Sequence, residues 1–341
     1  MPRFKRIEGL LGLFHKAGLF EITRKIFPQA ITILNYHRIA DTIEDYSFKP
    51  NISADRLSFD RQMNYLQKNY NVISTSHFLK WLNKKADLPI NSALITFDDG
   101  YFDNYSVASP VLSQYGLSAT IFLAADYMGN NAPFLWDFAA YCFFLTRKSS
   151  ETLPLLGFSS WNSVQSRDRI LNQWVNLAKR FPRIQQLEIM GKLSEVLGVV
   201  VPADVFDGLY LNWAQIRELV NKNIEFGSHT SSHPILTSIS LDDVHSELST
   251  SKRKIEQELN CDIQSFAYPN GQKSDFSPEI AGIVRDVGYD AAFTLLAGPV
   301  SRKLTRKEPY YIRRIFIGNS DTFPRFTAKL SGFEIASQLI S

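Results

Sequence analysis

The chain has 341 residues, 45% of them hydrophobic and 13% aromatic, which is enough apolar material for one large domain carrying a substantial insertion. Its formal net charge is only +3 with both signs spread along the sequence, so it has no basic field long enough to track a nucleic acid, and none is expected as a partner. Two cysteines, Cys142 and Cys261, lie far apart and outside any Cys-x-x-Cys spacing; this excludes a disulfide framework and a zinc-thiolate site, and both read as small core residues.

Residues 1–28 start basic and turn apolar as a leader peptide does, but His15, Lys16 and Glu21 interrupt the apolar stretch and no small-x-small cleavage site follows. They are expected to form an amphipathic helix, with Leu10, Leu11, Leu13, Phe14 and Leu19 as apolar content and Arg3, Lys5, Arg6, Lys16, Arg24 and Lys25 as charges. Such a helix either packs on the domain with a solvated basic face or lies on a membrane surface. No apolar run reaches transmembrane length. The expected location is cytoplasmic, with a peripheral position at the inner face of the membrane as the variant of that reading.

The second unit is residues 29–341, where short β-rich runs alternate with helical patterns, as in repeated βα units around a parallel sheet. Strands are expected at 31–36, 93–97, 119–123, 224–227, 265–268 and 291–294, and crossover helices at 57–68, 102–115, 213–222, 241–259 and 278–287, with Asp243, Glu247, Lys252, Lys254 and Glu258 on a solvated outer face. The stretch from about 133 to 207 breaks this rhythm. Aromatic at its start and then helical and polar, it reads as an insertion serving as a lid or substrate platform.

Two strand ends carry chemistry. The run Ala93-Leu-Ile-Thr-Phe ends in Asp98, Asp99 and Gly100, which places paired acids at the C-terminal mouth of a strand, where parallel α/β folds build sites. Adjacent side chains there diverge, so one carboxylate can bind a metal while its neighbour stays free as a base. Asp-Asp-Gly is equally an ordinary way to leave a strand. The run Glu225-Phe-Gly-Ser continues into His229-Thr-Ser-Ser-His233, and two imidazoles at that spacing share a face if the segment turns helically. An isolated pair of this kind also serves as surface or capping histidines. Taken together, one acid and two imidazoles leave coordination positions open for water and substrate, the composition of a hydrolytic site.

With these residues in order, the sequence resembles the polysaccharide deacetylases, the carbohydrate esterases that share the nodulation-type deacetylase domain, from about 31 to 326. Thr96-Phe-Asp98-Asp99-Gly100 is similar to the family's first motif, His229-Thr-Ser-Ser-His233-Pro234 to its second, and Phe266-Ala267-Tyr268-Pro269-Asn270-Gly271 to its third, which walls the site and offers backbone N–H groups to an oxyanion. The resemblance implies a distorted, incomplete (β/α)7-type barrel with a helical insertion. It makes Asp98 the base, Asp99, His229 and His233 the ligands of a divalent metal, and Tyr268, Pro269, Asn270 and Tyr101 substrate-binding residues. Two nitrogen ligands suit Zn2+ best, while Co2+, Ni2+ or Fe2+ fit the same site.

Two departures carry weight. Ala267 stands where many members have the arginine that orients the base, and the job falls to Arg314, in Tyr310-Tyr-Ile-Arg-Arg-Ile315, where a subset has an arginine opening a late strand; Arg313 is expected on the opposite face. An arginine at a strand end is also a common surface or structural ion-pair partner. No histidine follows His245, so the late histidine acid is missing. His37, in Asn35-Tyr36-His37-Arg38, resembles the Tyr-His signature of the biofilm-polysaccharide deacetylases and takes the role of acid, whereas His15, His77 and His245 read as helix residues.

The expected activity is removal of the N-acetyl group from an amino sugar in a polysaccharide, oligosaccharide or glycolipid. The partner is then an N-acetylated glycan, with a peripheral membrane or a glycan-assembly machinery as a further contact. Two alternatives stand beside it: deacetylation or deformylation of a lipid-linked sugar, and a catalytically silent glycan-binding member. Tyr101, Trp136, Phe138, Trp213 and Tyr268 are the aromatics available to stack on sugar rings.

Overall fold

Alternation of apolar strands with helices gives a mostly parallel sheet. In the computed structural model, which describes residues 2–26, 30–40, 46–297 and 300–332, the core strands run in the spatial order Ala291–Phe293, Ser265–Ala267, Ile224–Ser228, Ala119–Leu123, Ser92–Asp99 and Ala30–Tyr36. Every neighbouring pair in that order is parallel, for example Thr96 opposite both Asn35 and Thr120. The strand Ser92–Asp99 is buried along its whole length, as a central parallel strand covered on both faces must be.

The two edges are joined by one late segment. Ile312 exchanges backbone bonds with the Ala292–Thr294 edge, and Ile315–Phe316 pairs in parallel with Leu34 and Asn35 at the other. The sheet therefore curls into a distorted, incomplete barrel with this irregular stretch in the gap. Arg314 sits on the stretch with its side chain fully buried, and Arg313 is exposed on the other face, as strand alternation requires.

The crossover helices Arg56–Asn69, Trp213–Val220, Leu241–Leu259 and Pro278–Asp286 form where three- and four-residue apolar spacing places them, each entered through a capping side chain (Asp55, Asn212, Ser240 and Ser277). The expected helix at 102–115 divides into a π-turn at Asn104–Ala108 and a short helix Ser109–Gln114. The stretch 133–207 holds the helices Leu135–Leu145, Val164–Ala178 and Arg183–Leu197 and an unforeseen hairpin, Ser150–Leu153 with Gly157–Ser160.

At the N-terminus, two helices replace the single expected one. Pro2–Lys16 lies against the helix Phe323–Leu330, tied by Glu8 to Arg325 and Thr322, and Leu19–Ile26 follows it. The side chains of Arg3, Lys5, Arg6, Arg24 and Lys25, on which the basic face was to rest, lie outside the described residues, as do residues 1, 27 and 28. No described helix is long and apolar enough to cross a membrane. Cys142 is buried, but Cys261 is exposed and is not a core residue.

Candidate functional site

The C-terminal mouths of four parallel strands and the late segment converge on one place. The strand Ser92–Asp99 delivers its two acids in divergent directions. Asp98 turns inward, where Arg314 Nη1 and Nη2 donate to its two oxygens at 2.7 and 2.8 Å and Asn35 Nδ2 donates to Oδ2 at 2.8 Å. Burial alone would raise the Asp98 carboxyl, but the guanidinium charge outweighs it and holds the group down to about 2. Arg314 is itself anchored by donating to the Thr294 carbonyl and to Thr96 Oγ1.

Asp99 turns the other way, toward the second motif. Its Oδ1 lies 3.6 Å from His229 Nε2 and 3.4 Å from His233 Nε2. The backbone stores strain to achieve this: φ is 76° at Asp99, 68° at Thr230 and 59° at His233, left-handed values that cost non-glycine residues on the order of 1 kcal/mol or more each. The two histidines meet through this tight turn and not through the helical turn their spacing suggested. Gly100, at φ 79°, has a backbone conformation that strains any other residue, and a Cβ there would also displace the end of the Met128 side chain, 2.8 Å away.

The loop is held from behind. Glu247 accepts from the backbone N–H of Ser231 and Ser232 at 2.9 and 2.8 Å, so it serves this loop and not the solvated outer face expected for it. His229 Nδ1 donates to the Ala267 carbonyl at 2.7 Å; because a carbonyl can only accept, this bond leaves Nε2 as a lone pair aimed at Asp99. Burial keeps both imidazoles below their ordinary range and therefore neutral, the form that ligates metal.

A divalent cation fits this donor set. The ligand atoms of Asp99, His229 and His233 all lie within 4.8 Å of one another, and the buried Asp99 Oδ1 has no hydrogen-bond donor. Burial, followed by the neighbouring charge of Asp98, pushes the Asp99 carboxyl well above the usual range, so a carboxylate at that point needs a cation to stay ionised.

A cavity of about 330 Å³ opens onto Asp99 and His233, with His37, Trp136, Asn270 and Phe316 among its walls. His37 follows the strand Ala30–Tyr36; its ring packs edge-on against Phe316 and its Nδ1 is buried without a partner. Burial lowers its pKa to about 4, against the pull of Asp98.

Three expected substrate contacts do not face this cavity. Tyr101 is fully buried beneath it, its hydroxyl donating to Asp137 Oδ2 at 2.8 Å and accepting from Trp136 Nε1 at 2.7 Å. Tyr268 is fully buried against Phe276, and its own N–H is spent on the Phe293 carbonyl, so it cannot serve an oxyanion. Pro269 is buried beside it. Of the five aromatics considered for stacking, Trp136 alone lines the cavity, joined by Phe48 and Phe316, which the sequence reading passed over. It also gave Asn35 and Asp137 no role and placed Glu247 on an outer face. Asn35 and Asp137 did leave a signal, each being a polar residue inside an apolar run.

Comparison with known proteins points the same way as the geometry. A family model described as Polysaccharide deacetylase matches residues 85–292. YxkH of Bacillus subtilis (strain 168), whose name places it in the same family, is 34% identical over 104 residues, which is 30% of this chain and 35% of that relative's length. Among solved structures, the Streptococcus pyogenes deacetylase PplD in complex with acetate matches with a TM-score of 0.60 at 19% identity, over 89% of this chain and 99% of that one. IcaB from Ammonifex degensii follows at 0.56 and 20%, over 89% and 97%. The de-N-acetylase from Aggregatibacter actinomycetemcomitans stands at 0.58 and 18%, over 88% and 99%. At these identities the structural likeness is one of fold.

Proposed function

The chain belongs to the polysaccharide deacetylase family, and from that premise we propose that it is a metal-dependent N-deacetylase, hydrolysing the acetamido group of N-acetylated amino sugars in a polysaccharide, oligosaccharide or glycolipid. The observation that carries the reading is the pair of adjacent acids with opposite fates. Asp98 is locked ionised by Arg314, while Asp99 has a buried, undonated oxygen between two neutral imidazoles.

Asp99, His229 and His233 would hold the ion, Zn2+ before Co2+, Ni2+ or Fe2+ on the strength of the two nitrogen donors. A divalent ion there supplies Lewis acidity, polarising the acetyl carbonyl and making water a stronger acid. Asp98 accepts the proton of the attacking water, its two oxygens aimed by the guanidinium fork and by Asn35. His37, on the cavity wall, returns a proton to the departing amine nitrogen. Its resting form is neutral, so as negative charge grows on the substrate beside it His37 takes up a proton from solvent and hands it to the amine. Asp98 releases to solvent the proton it took from water, and both groups end as they began. Trp136 and Phe316 exclude water and give the sugar ring apolar walls. The products are acetate and the free amino sugar.

Acetate release from N-acetylated oligosaccharides, measured on chelator-treated protein before and after each metal is returned, tests the reading. Equal rates with and without metal, or no acetate from any substrate in any metal form, would sink it. A peripheral membrane position is part of the same proposal, resting on Ile7, Leu10 and Leu13, which the helix Pro2–Lys16 leaves exposed. Deletion of residues 1–26 should then abolish co-sedimentation with anionic vesicles.

A further inference from the structure

One side of the cavity is built by the stretch 133–207. The helix Val164–Ala178 buries Leu171, Trp174, Val175 and Ala178 against the domain and turns Asn172, Asn176 and the C-capping Lys179, spaced by four and then three residues, into the cavity. Half-buried Lys179 places its ammonium 4.5 Å from the centre of the Trp136 ring, whose edge-to-face contact with His233 is at 4.9 Å. One indole thus separates a cation from a ligand of the proposed metal site.

The other cations around the site are paired: Arg314 with Asp98, Arg38 with Asp103, and Lys49 with Asp168. Among the described residues, no carboxylate lies within ion-pair distance of Lys179. Burial lowers its pKa, and the acids that oppose this, Asp99 first and then Asp275 and Asp137, act from farther off. Once Asp99 is engaged by a cation, the largest of those attractions is spent.

We propose that Lys179, with Asn172 and Asn176 beside it, forms an anion subsite that selects amino sugars carrying a phosphate or carboxylate next to the acetamido group being cleaved. The proposal rests on the deacetylase reading and names its substrate class. An ammonium over an aromatic face meets an anionic oxygen with a charge-assisted hydrogen bond, and the two amides supply donors for the neighbouring hydroxyls. A lysine at a helix C-terminus also complements the helix dipole, and a role confined to that would be indifferent to the charge of the ligand.

The test uses the full chain loaded with Zn2+ and three ligands: N-acetylglucosamine 1-phosphate, a disaccharide of N-acetylglucosamine and glucuronic acid, and neutral diacetylchitobiose. Binding is followed by titration calorimetry and turnover by acetate release. At least one anionic ligand is expected to bind about tenfold more tightly than the neutral one, with the margin shrinking as salt rises. Lys179→Gln should remove most of that margin and Lys179→Arg should keep it. Preference for the phosphate identifies a sugar phosphate, as on a lipid carrier, and preference for the uronate identifies an acidic glycan. Equal binding of all three ligands, or a loss on Lys179→Gln that is the same for each, overturns the proposal. Charge-selective binding without acetate from any ligand upholds the subsite and sinks the deacetylase reading instead.

Discussion

Replacing Arg314 by methionine removes a fully buried guanidinium and leaves Asp98 buried with Asn35 as its remaining donor. Breaking one side of a buried ion pair costs about 3–5 kcal/mol, because the surviving charge has no water to turn to. The protein can relieve that cost by protonating Asp98: at about 1.4 kcal/mol per pKa unit, the carboxyl would climb from about 2 to roughly 4–6. Because the folded-state pKa of the wild type lies below that of an ordinary carboxylate, the pair's contribution is complete above the unfolded-state value and is lost as pH falls toward about 2. The methionine variant should lack that acid-sensitive contribution. Urea unfolding at pH 7 of the wild type, Arg314→Met, Asp98→Asn and the double variant measures the coupling directly, and an interaction of at least about 2 kcal/mol is expected. In turnover, Arg314→Met should lose about a hundred to ten thousandfold, the scale of a misplaced base, and Arg314→Lys, which keeps a charge without the fork, should lose less. Additive stabilities, or a methionine variant that turns over at the wild-type rate, would refute the assignment.

His37→Ala should reduce kcat by about a hundred to ten thousandfold while zinc content, read by elemental analysis, stays near the wild-type value. His233→Ala should instead lower the bound metal, since it removes one of three proposed ligands. Glu247→Gln frees the Ser231 and Ser232 amides from a charged acceptor and should weaken metal affinity about ten to a hundredfold in a chelator-competition titration, with the helices unchanged by circular dichroism. Asp137 is raised to about 6 by burial, so its contribution to stability is present below the ordinary carboxylate range and fades as pH rises through about 6. Asp137→Asn keeps an acceptor for the Tyr101 and Tyr210 hydroxyls and should gain up to about 3 kcal/mol in urea unfolding at pH 8, with the gain vanishing near pH 4.

The parallel strands and most outer helices could be read from the sequence because their apolar periodicity is a local property. The run Ala93-Leu-Ile-Thr-Phe announces a buried strand wherever it occurs, and Asp98 and Asp99 mark its mouth. The turn that joins His229 to His233 was misjudged for a physical reason: spacing alone cannot distinguish a helical turn from a strained loop, and it is Glu247, on a distant helix, that holds the loop. Tyr101 follows the first motif and Tyr268 lies within the third, but their rings point into the core, a matter of which face each strand end presents. The hairpin at Ser150–Leu153 and Gly157–Ser160 is mostly exposed and short, so it offered no periodic signal. Lys179 could not be found locally either, since its proposed role comes from lying over Trp136 and from having, among the described residues, no carboxylate within ion-pair distance.

Arg314 is reached from Asp98 across 216 residues of chain, through a segment stitched to both margins of the sheet. Proximity so distant in sequence is established late, after the loops between have closed. On the proposed reading, a chain still emerging during synthesis, with Asp99, His229 and His233 already present but Arg314 not yet delivered, would gather its candidate metal ligands while Asp98 lacks a counter-ion. The Asp98–Arg314 pair would, on that reading, be complete only once this last stave of the barrel has joined both margins of the sheet.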